Sequence, residues 1–277
     1  MAAALPEVPD RFVRSRDGTP IALFAAGSGR TLLLVHGTAS DHRTWRVVVP
    51  LLTERWQLQA MDRRGRGDSG DVRDAYAIER EVEDVVAVAD KIAAATGAPI
   101  AVIGHSLGGR IALAAAVHTR SIARVAAYES APATASENGA RDEQLLEQLR
   151  VDLAAGDHDT LLARFMTQAV GMPPADLAAF RADPIWPRRA ATAPTIVREL
   201  DAALHAPAIG LASLAAVEVP VLQLVGTESP AGFRRGAEVL NRRLARGRLK
   251  AIEGARHAAH HSHPGQLVEV VEAFLNG

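Results

Sequence analysis

Cysteine is absent from all 277 residues. Without a thiol there can be no disulfide, no cysteine nucleophile and no Cys-ligated zinc or iron–sulfur site. Lysine is nearly absent as well. Lys91 and Lys250 are the only two, and arginine carries almost all the basic charge, which reads as compositional bias. Net charge is also lacking: the formal value is −1, so nothing pulls the chain electrostatically toward nucleic acid or an anionic membrane. The opening residues MAAALPEVPDRF have neither the basic start nor the long apolar stretch of a secretory signal. Apolar runs such as 111–117 fall far short of the ~20 residues a membrane span needs. The expectation is a cytoplasmic soluble protein whose partner is a small molecule.

What is present suits one large domain or one domain with an insertion, since 48% of residues are hydrophobic and 23% charged. Short apolar runs at 21–26, 31–35 and 57–61 are punctuated by Gly27, Gly29, Gly37 and the Gly-rich DRRGRGDSG. These read as strands. From 78 to 95 the apolar residues Val82, Val85, Val86, Ala89 and Ile92 recur at helical spacing, and Gly97 closes the run. Runs at 100–103, 125–128, 219–225 and 249–252 predict further strands, and 231–245 and 264–275 predict helices. Strands alternating with helices imply a mostly parallel sheet covered on both faces. Between Ser130 and Ala215 the alternation stops. That stretch carries the helical set Leu145, Leu146, Leu149 and Leu153 and the proline-dense DPIWPRRAATAPT, and reads as a helical insertion.

The segment AVIGHSLGGRIAL, 101–113, carries the chemistry. Gly104 and Gly108 flank Ser106 at a junction from a buried strand to a small-residue helix. Small neighbours allow a sharp, strained turn, which would present the hydroxyl at a helix N-terminus. Near the C-terminus HAAHHSHP offers His257, His260, His261 and His263, followed by Pro264 at a helix start. His257 and His261 have the i,i+4 spacing of a metal pair, with no acidic ligand nearby. The loop DRRGRGDSG lacks the phosphate-loop pattern, and Asp62 and Asp68 read as parts of tight turns held by Arg–Asp pairing.

These motifs resemble the α/β-hydrolase superfamily in its serine-nucleophile, esterase-like form. LLLVHGTAS at 32–40 looks like the oxyanion-hole strand and loop, and IEGARHAAHHSHP at 252–264 like the segment with the catalytic histidine. The resemblance implies an α/β-hydrolase fold divided as core 1–130, helical cap 131–215 and core 216–277. It implies Ser106 as nucleophile, His257 as base, and the backbone N–H groups of Thr38 and Leu107 as oxyanion donors, with no cofactor and no metal. His36 then braces its loop, and His260, His261 and His263 are structural or solvated.

The acid departs from the pattern, because Ser229 stands where the family commonly has aspartate in Gly-x-x-Asp-Pro. Glu129, ending the strand before the insertion, is the preferred substitute. Haloalkane dehalogenases take their acid from that earlier strand end. Glu228 is the alternative. Phe165, Met166, Met172, Phe180 and Trp186 are expected mainly in the cap's own core, with one or two reaching an acyl pocket. Arg188 and Arg189 read as exposed residues that could attract an acidic substrate.

The expected activity is cleavage of a carboxylic ester, thioester or lactone, with an apolar acyl group, through an acyl-enzyme. The alternatives at the same site are acyl transfer, perhydrolysis and C–C bond chemistry. A hydrolase-like protein that binds without turnover is the third reading; serine at the aspartate position favours it slightly, and the intact Ser106, His257, Gly37 and Gly108 disfavour it. Serine rather than aspartate at the elbow argues against epoxide hydrolase or dehalogenase chemistry.

Overall fold

A computed structural model describes residues 4–71, 76–132 and 139–277. The chain opens with β1 (Arg11–Arg14), β2 (Pro20–Ala26) and β3 (Arg30–Val35). A 3-10 turn at His42–Val47 and the short α1 (Val49–Leu52) lead into β4 (Trp56–Met61). Next come α2 (Ile78–Thr96), β5 (Ile100–His105), α3 (Leu107–His118) and β6 (Ile122–Tyr128). Helices alone follow: α4 (Gly139–Ala154), α5 (His158–Gln168), α6 (Pro174–Ala182), α7 (Trp186–Ala190), α8 (Ala193–His205) and α9 (Leu211–Leu214). The chain ends with β7 (Val221–Gly226), α10 (Ala231–Asn241), β8 (Gly247–Ile252), α11 (Ala259–Ser262) and α12 (Pro264–Asn276).

The strands form one sheet in the order β1-β2-β4-β3-β5-β6-β7-β8. β2 runs antiparallel to both β1 and β4, and the pairs from β4 to β8 are parallel. The central strands β3 and β5 are mostly apolar, with Leu32–Val35 and Ile100–Ile103 all buried, because both faces are covered. On one face α2 and α3 pack Val85, Ile92, Ile111 and Leu113 against Leu33 and Val102. On the other, α1 and α12 pack Leu52, Val271 and Phe274 against Leu34 and Leu58. Helices α4 to α8 hold a separate core of Leu146, Leu149, Leu161, Leu162, Trp186 and Ile196.

α2 repeats the apolar spacing seen in the sequence and ends where Gly97 takes a left-handed φ of 74°. A Cβ costs most in that region, so glycine suits the stop. β1 has no counterpart in the sequence reading. Only Val13 of its four residues is buried, so the edge strand leaves no alternation to detect. α10 stops at Asn241 instead of 245. Among the described residues no helix is long and apolar enough to cross a membrane.

Candidate active site

Parallel strands aim their C-terminal ends at one edge of the sheet, where ligands of open α/β sheets commonly bind. Ser106 follows β5, Glu129 follows β6, Gly226 ends β7, and His257 lies in the turn after β8. Gly37 and Thr38 follow β3 at the same edge.

Ser106 has φ 52° and ψ −128°, a strained conformation for a residue with a side chain. The glycines around it are there for space. A Cβ on Gly104 would stand 2.3 Å from Gly109 Cα, and one on Gly108 2.2 Å from the His36 carbonyl oxygen. A Cβ on Gly109 would collide with Ser130 Oγ at 2.0 Å. The turn therefore requires the run Gly104-His105-Ser106-Leu107-Gly108-Gly109. Leu107 opens α3, so its N–H has no acceptor within the helix.

His257 Nδ1 lies 2.6 Å from Glu129 Oε2, and both residues are buried. The other carboxylate oxygen accepts from Gly226 N at 2.8 Å. A carboxylate at Nδ1 makes that nitrogen the N–H, which leaves Nε2 with its lone pair. His105 Nε2 donates to the His257 carbonyl at 2.8 Å and Tyr128 Oη to the Arg256 carbonyl at 2.6 Å. The histidine turn is thus tied to β5 and β6 independently of its own ring. Glu129 itself has φ 49°, a second strained non-glycine beside Ser106.

Glu228 is not part of this arrangement. It is half exposed and pairs with Arg256 at 3.3 Å. A strand-end residue such as Glu129 is aimed by the sheet, whereas Glu228 lies one residue into the open turn after Thr227.

Ser106, His257, Glu129, Thr38 and Leu107 line one cavity of about 730 Å³, roofed by residues of α5, α8 and α10. Ser106 and His257 share this wall with no hydrogen bond between their side chains, and in unliganded sites such contacts are often long. Of the five large apolar residues 165, 166, 172, 180 and 186, only Phe165 is among the lining residues. Met166 and Trp186 belong to the core of the helical segment, with Met172 and Phe180 packed against it.

The neighbouring histidines have other work. His36 is fully buried, its Nδ1 donating to Gly37 O at 2.8 Å while its Nε2 accepts from Arg63 N at 3.0 Å. Burial holds it neutral, with a pKa well below the usual imidazole range. Burial also pushes His105 and His260 far down, and His261 to about 4. His260 and His261 both meet Thr44 Oγ1, at 3.1 and 3.3 Å. Among the described residues no three metal-ligating side chains converge.

The DRRGRGDSG loop does fold into tight turns, with Gly65 and Gly67 at positive φ. Buried Asp62 accepts from His42 N, His42 Nδ1 and Asp68 N. The arginines, however, do not pair with the loop's own aspartates. Arg63 makes two 2.7 Å bonds to Glu81 and a 3.0 Å contact to Glu199, and Arg66 reaches Glu199 at 2.5 Å. Arg64 pairs with Asp84 and Asp17. Their carboxylates come from α2, from α8 and from the β1–β2 turn, because only distant elements can enclose a buried guanidinium.

Arg189 also departs from expectation. It is buried, and its Nη1 donates to Ala39 O at 2.9 Å. Ala39 has φ 53° and directly follows Thr38, so a residue of α7 pins the loop after β3. No sequence signal marked Arg189, Glu199 or Arg110 as enclosed, since their partners are 150, 133 and 93–99 residues away.

A model of the alpha/beta hydrolase family matches residues 32–270. The pimeloyl-[acyl-carrier protein] methyl ester esterase of Neisseria meningitidis serogroup B is 31% identical over 269 residues, covering 90% of this chain and 93% of that protein. The protein of that name from Aeromonas hydrophila is 28% identical and covers 90% of this chain and 96% of its own. Among solved structures, an α/β hydrolase from Sphaerobacter thermophilus superposes with a TM-score of 0.79 at 31% identity, covering 96% of this chain and 100% of that one.

Proposed function

The chain belongs to the α/β-hydrolase family, and from that premise we propose that Ser106, His257 and Glu129 are the catalytic triad of its ester-hydrolysing site. The protein is a serine hydrolase acting on ester bonds. One observation carries the assignment: the 2.6 Å contact of His257 with buried Glu129, on the wall of the cavity that holds strained Ser106.

The chemistry follows from the tautomer. With Nδ1–H given to Glu129, His257 Nε2 takes the Ser106 proton as Oγ attacks the ester carbonyl. The backbone N–H groups of Leu107 and Thr38 receive the oxyanion, helped by the positive end of α3. His257 then protonates the departing alcohol, and water activated by the same imidazole releases the acid. Glu129 stabilises the imidazolium at both stages. Helices α4 to α9 act as a cap that shapes the cavity. The relatives' names make a methyl ester of an acyl chain the first substrate to try.

Fluorophosphonate labelling read by intact mass tests the proposal on the wild type and on Ser106→Ala. One stoichiometric adduct, absent from the variant, is expected, together with hydrolysis of methyl and p-nitrophenyl esters by the wild type alone. A folded wild type that takes no adduct and turns over no ester would overturn it.

A further inference from the structure

Arg110 stands one helical turn after Ser106 on α3, with its backbone N 3.3 Å from the Ser106 carbonyl oxygen. It lines the same cavity. Its Nη2 donates to two neutral acceptors, Ala203 O and Ile209 O, each at 3.0 Å. Its Nε is fully buried and has no partner. Among the described residues no carboxylate forms an ion pair with it.

Other charges on this wall have partners, Arg235 among them. Glu129 holds His257, Glu199 holds Arg63 and Arg66, and Glu143 holds His205 at 2.7 Å. Asp142 lies in the field of Arg141. An enclosed guanidinium facing only neutral carbonyls is costly, and such charges are normally paired. Burial lowers its pKa to about 10, so it stays cationic at neutral pH. A Met or Leu would fill this helix position without that cost.

We propose that Arg110 forms an anion subsite in the cavity, so that the preferred ester carries a carboxylate or other anionic group apart from the ester itself. This deepens the reading of Ser106 as an ester-cleaving nucleophile and rests on it. With both Nη2 hydrogens given to the carbonyls and Nε enclosed, Nη1 is the donor left for a carboxylate, a charge-assisted bond from a permanent cation. The cavity wall is partly apolar, with Leu107, Phe165 and Leu211 among its residues, so the ester's chain meets hydrocarbon and only its end meets charge.

Three esters test the subsite: neutral p-nitrophenyl hexanoate, mono-p-nitrophenyl adipate with its anion on the acyl side, and 4-carboxyphenyl hexanoate with its anion on the alcohol side. The readout is the ratio of kcat/KM for each anionic ester to that for the neutral one, in wild type and in Arg110→Met. A fall of at least tenfold in one ratio is expected and identifies the side that the anion occupies. Arg110→Lys should recover part of it. Ratios that do not move in either anionic arm would overturn the subsite. Calorimetry on Ser106→Ala, which needs no turnover and leaves Arg110 in place, compares monomethyl adipate with methyl hexanoate and 4-carboxyphenyl hexanoate with phenyl hexanoate. Binding of one anionic ester at least tenfold tighter than its neutral counterpart is expected, and equal binding in both pairs would overturn the proposal. An inert wild type that still shows this binding difference would leave the subsite standing and remove the esterase reading.

Discussion

Two buried glutamates line the cavity, and they are set up in opposite ways. Glu129 leaves the end of β6 and meets one titratable partner, His257, with Gly226 N on its other oxygen. Glu199 projects from α8 and meets two permanent cations, Arg63 and Arg66, both fully buried. Arginine is not deprotonated in a protein, so the Glu199 cluster cannot move a proton. Histidine can, so the Glu129 pair can serve chemistry. The Glu199 cluster joins the helical segment to the sheet, since Arg63 and Arg66 belong to the loop after β4. Burying a carboxylate therefore says little about its role. The partner decides whether the charge is an anchor or part of a reaction.

The contrast predicts different failures. Glu129→Gln keeps the shape but removes the charge that fixes the His257 tautomer. We expect kcat to fall by roughly 10⁴, the scale seen when the acid of such a triad is amidated, with the melting temperature changed little. Glu228→Gln is the control, and steady-state kinetics on both should show a loss only for the first. A loss confined to Glu228→Gln would reverse the assignment.

Glu199→Gln should do the reverse, leaving two buried guanidiniums short of a counter-charge. Breaking a buried pair from one side costs roughly 3–5 kcal/mol, so denaturant unfolding should show a large loss of stability. Activity per folded molecule should fall far less than for Glu129→Gln. If catalysis collapses while stability holds, the division of labour drawn here is wrong.

Acid should sharpen the difference. His36, His105 and His260 are buried neutral, with folded pKa values well below the unfolded value near 6.5. Below that value the unfolded chain binds protons that these folded sites refuse. Stability is therefore fully present above about pH 6.5 and is lost as pH falls, by up to about 1.4 kcal/mol per pH unit for each such histidine. Denaturation at pH 7.5, 6.5 and 5.5 should give a flat first interval and a steep second one.

The smallest effect belongs to Arg189, which crosses from the helical segment to the loop after β3. Arg189→Ala frees the Ala39 carbonyl and should lower kcat about tenfold, about 1.4 kcal/mol in the barrier, with a smaller change in KM. A change confined to KM would mean that Arg189 shapes the cavity and does not hold the loop.

Local pattern marked the elbow and most of the elements, β1 excepted. Both are largely local: apolar spacing marks a strand or helix within a few residues, and the close approach of Gly104 to Gly109 belongs to a single tight turn, whereas Gly108 meets the end of β3 and Gly109 meets Ser130. His257 was legible from its turn and the helix start at Pro264. Glu129 was reachable only because the usual position holds Ser229, and the choice against Glu228 needed the direction in which β6 delivers its last side chain. Tertiary structure alone decided what covers the site. Arg110, Arg189 and Glu199 look like any surface charge in the sequence, because burial and pairing are set by elements roughly a hundred residues apart. A local pattern records which way a backbone bends; it does not record which distant surface closes over a charge and takes it out of water.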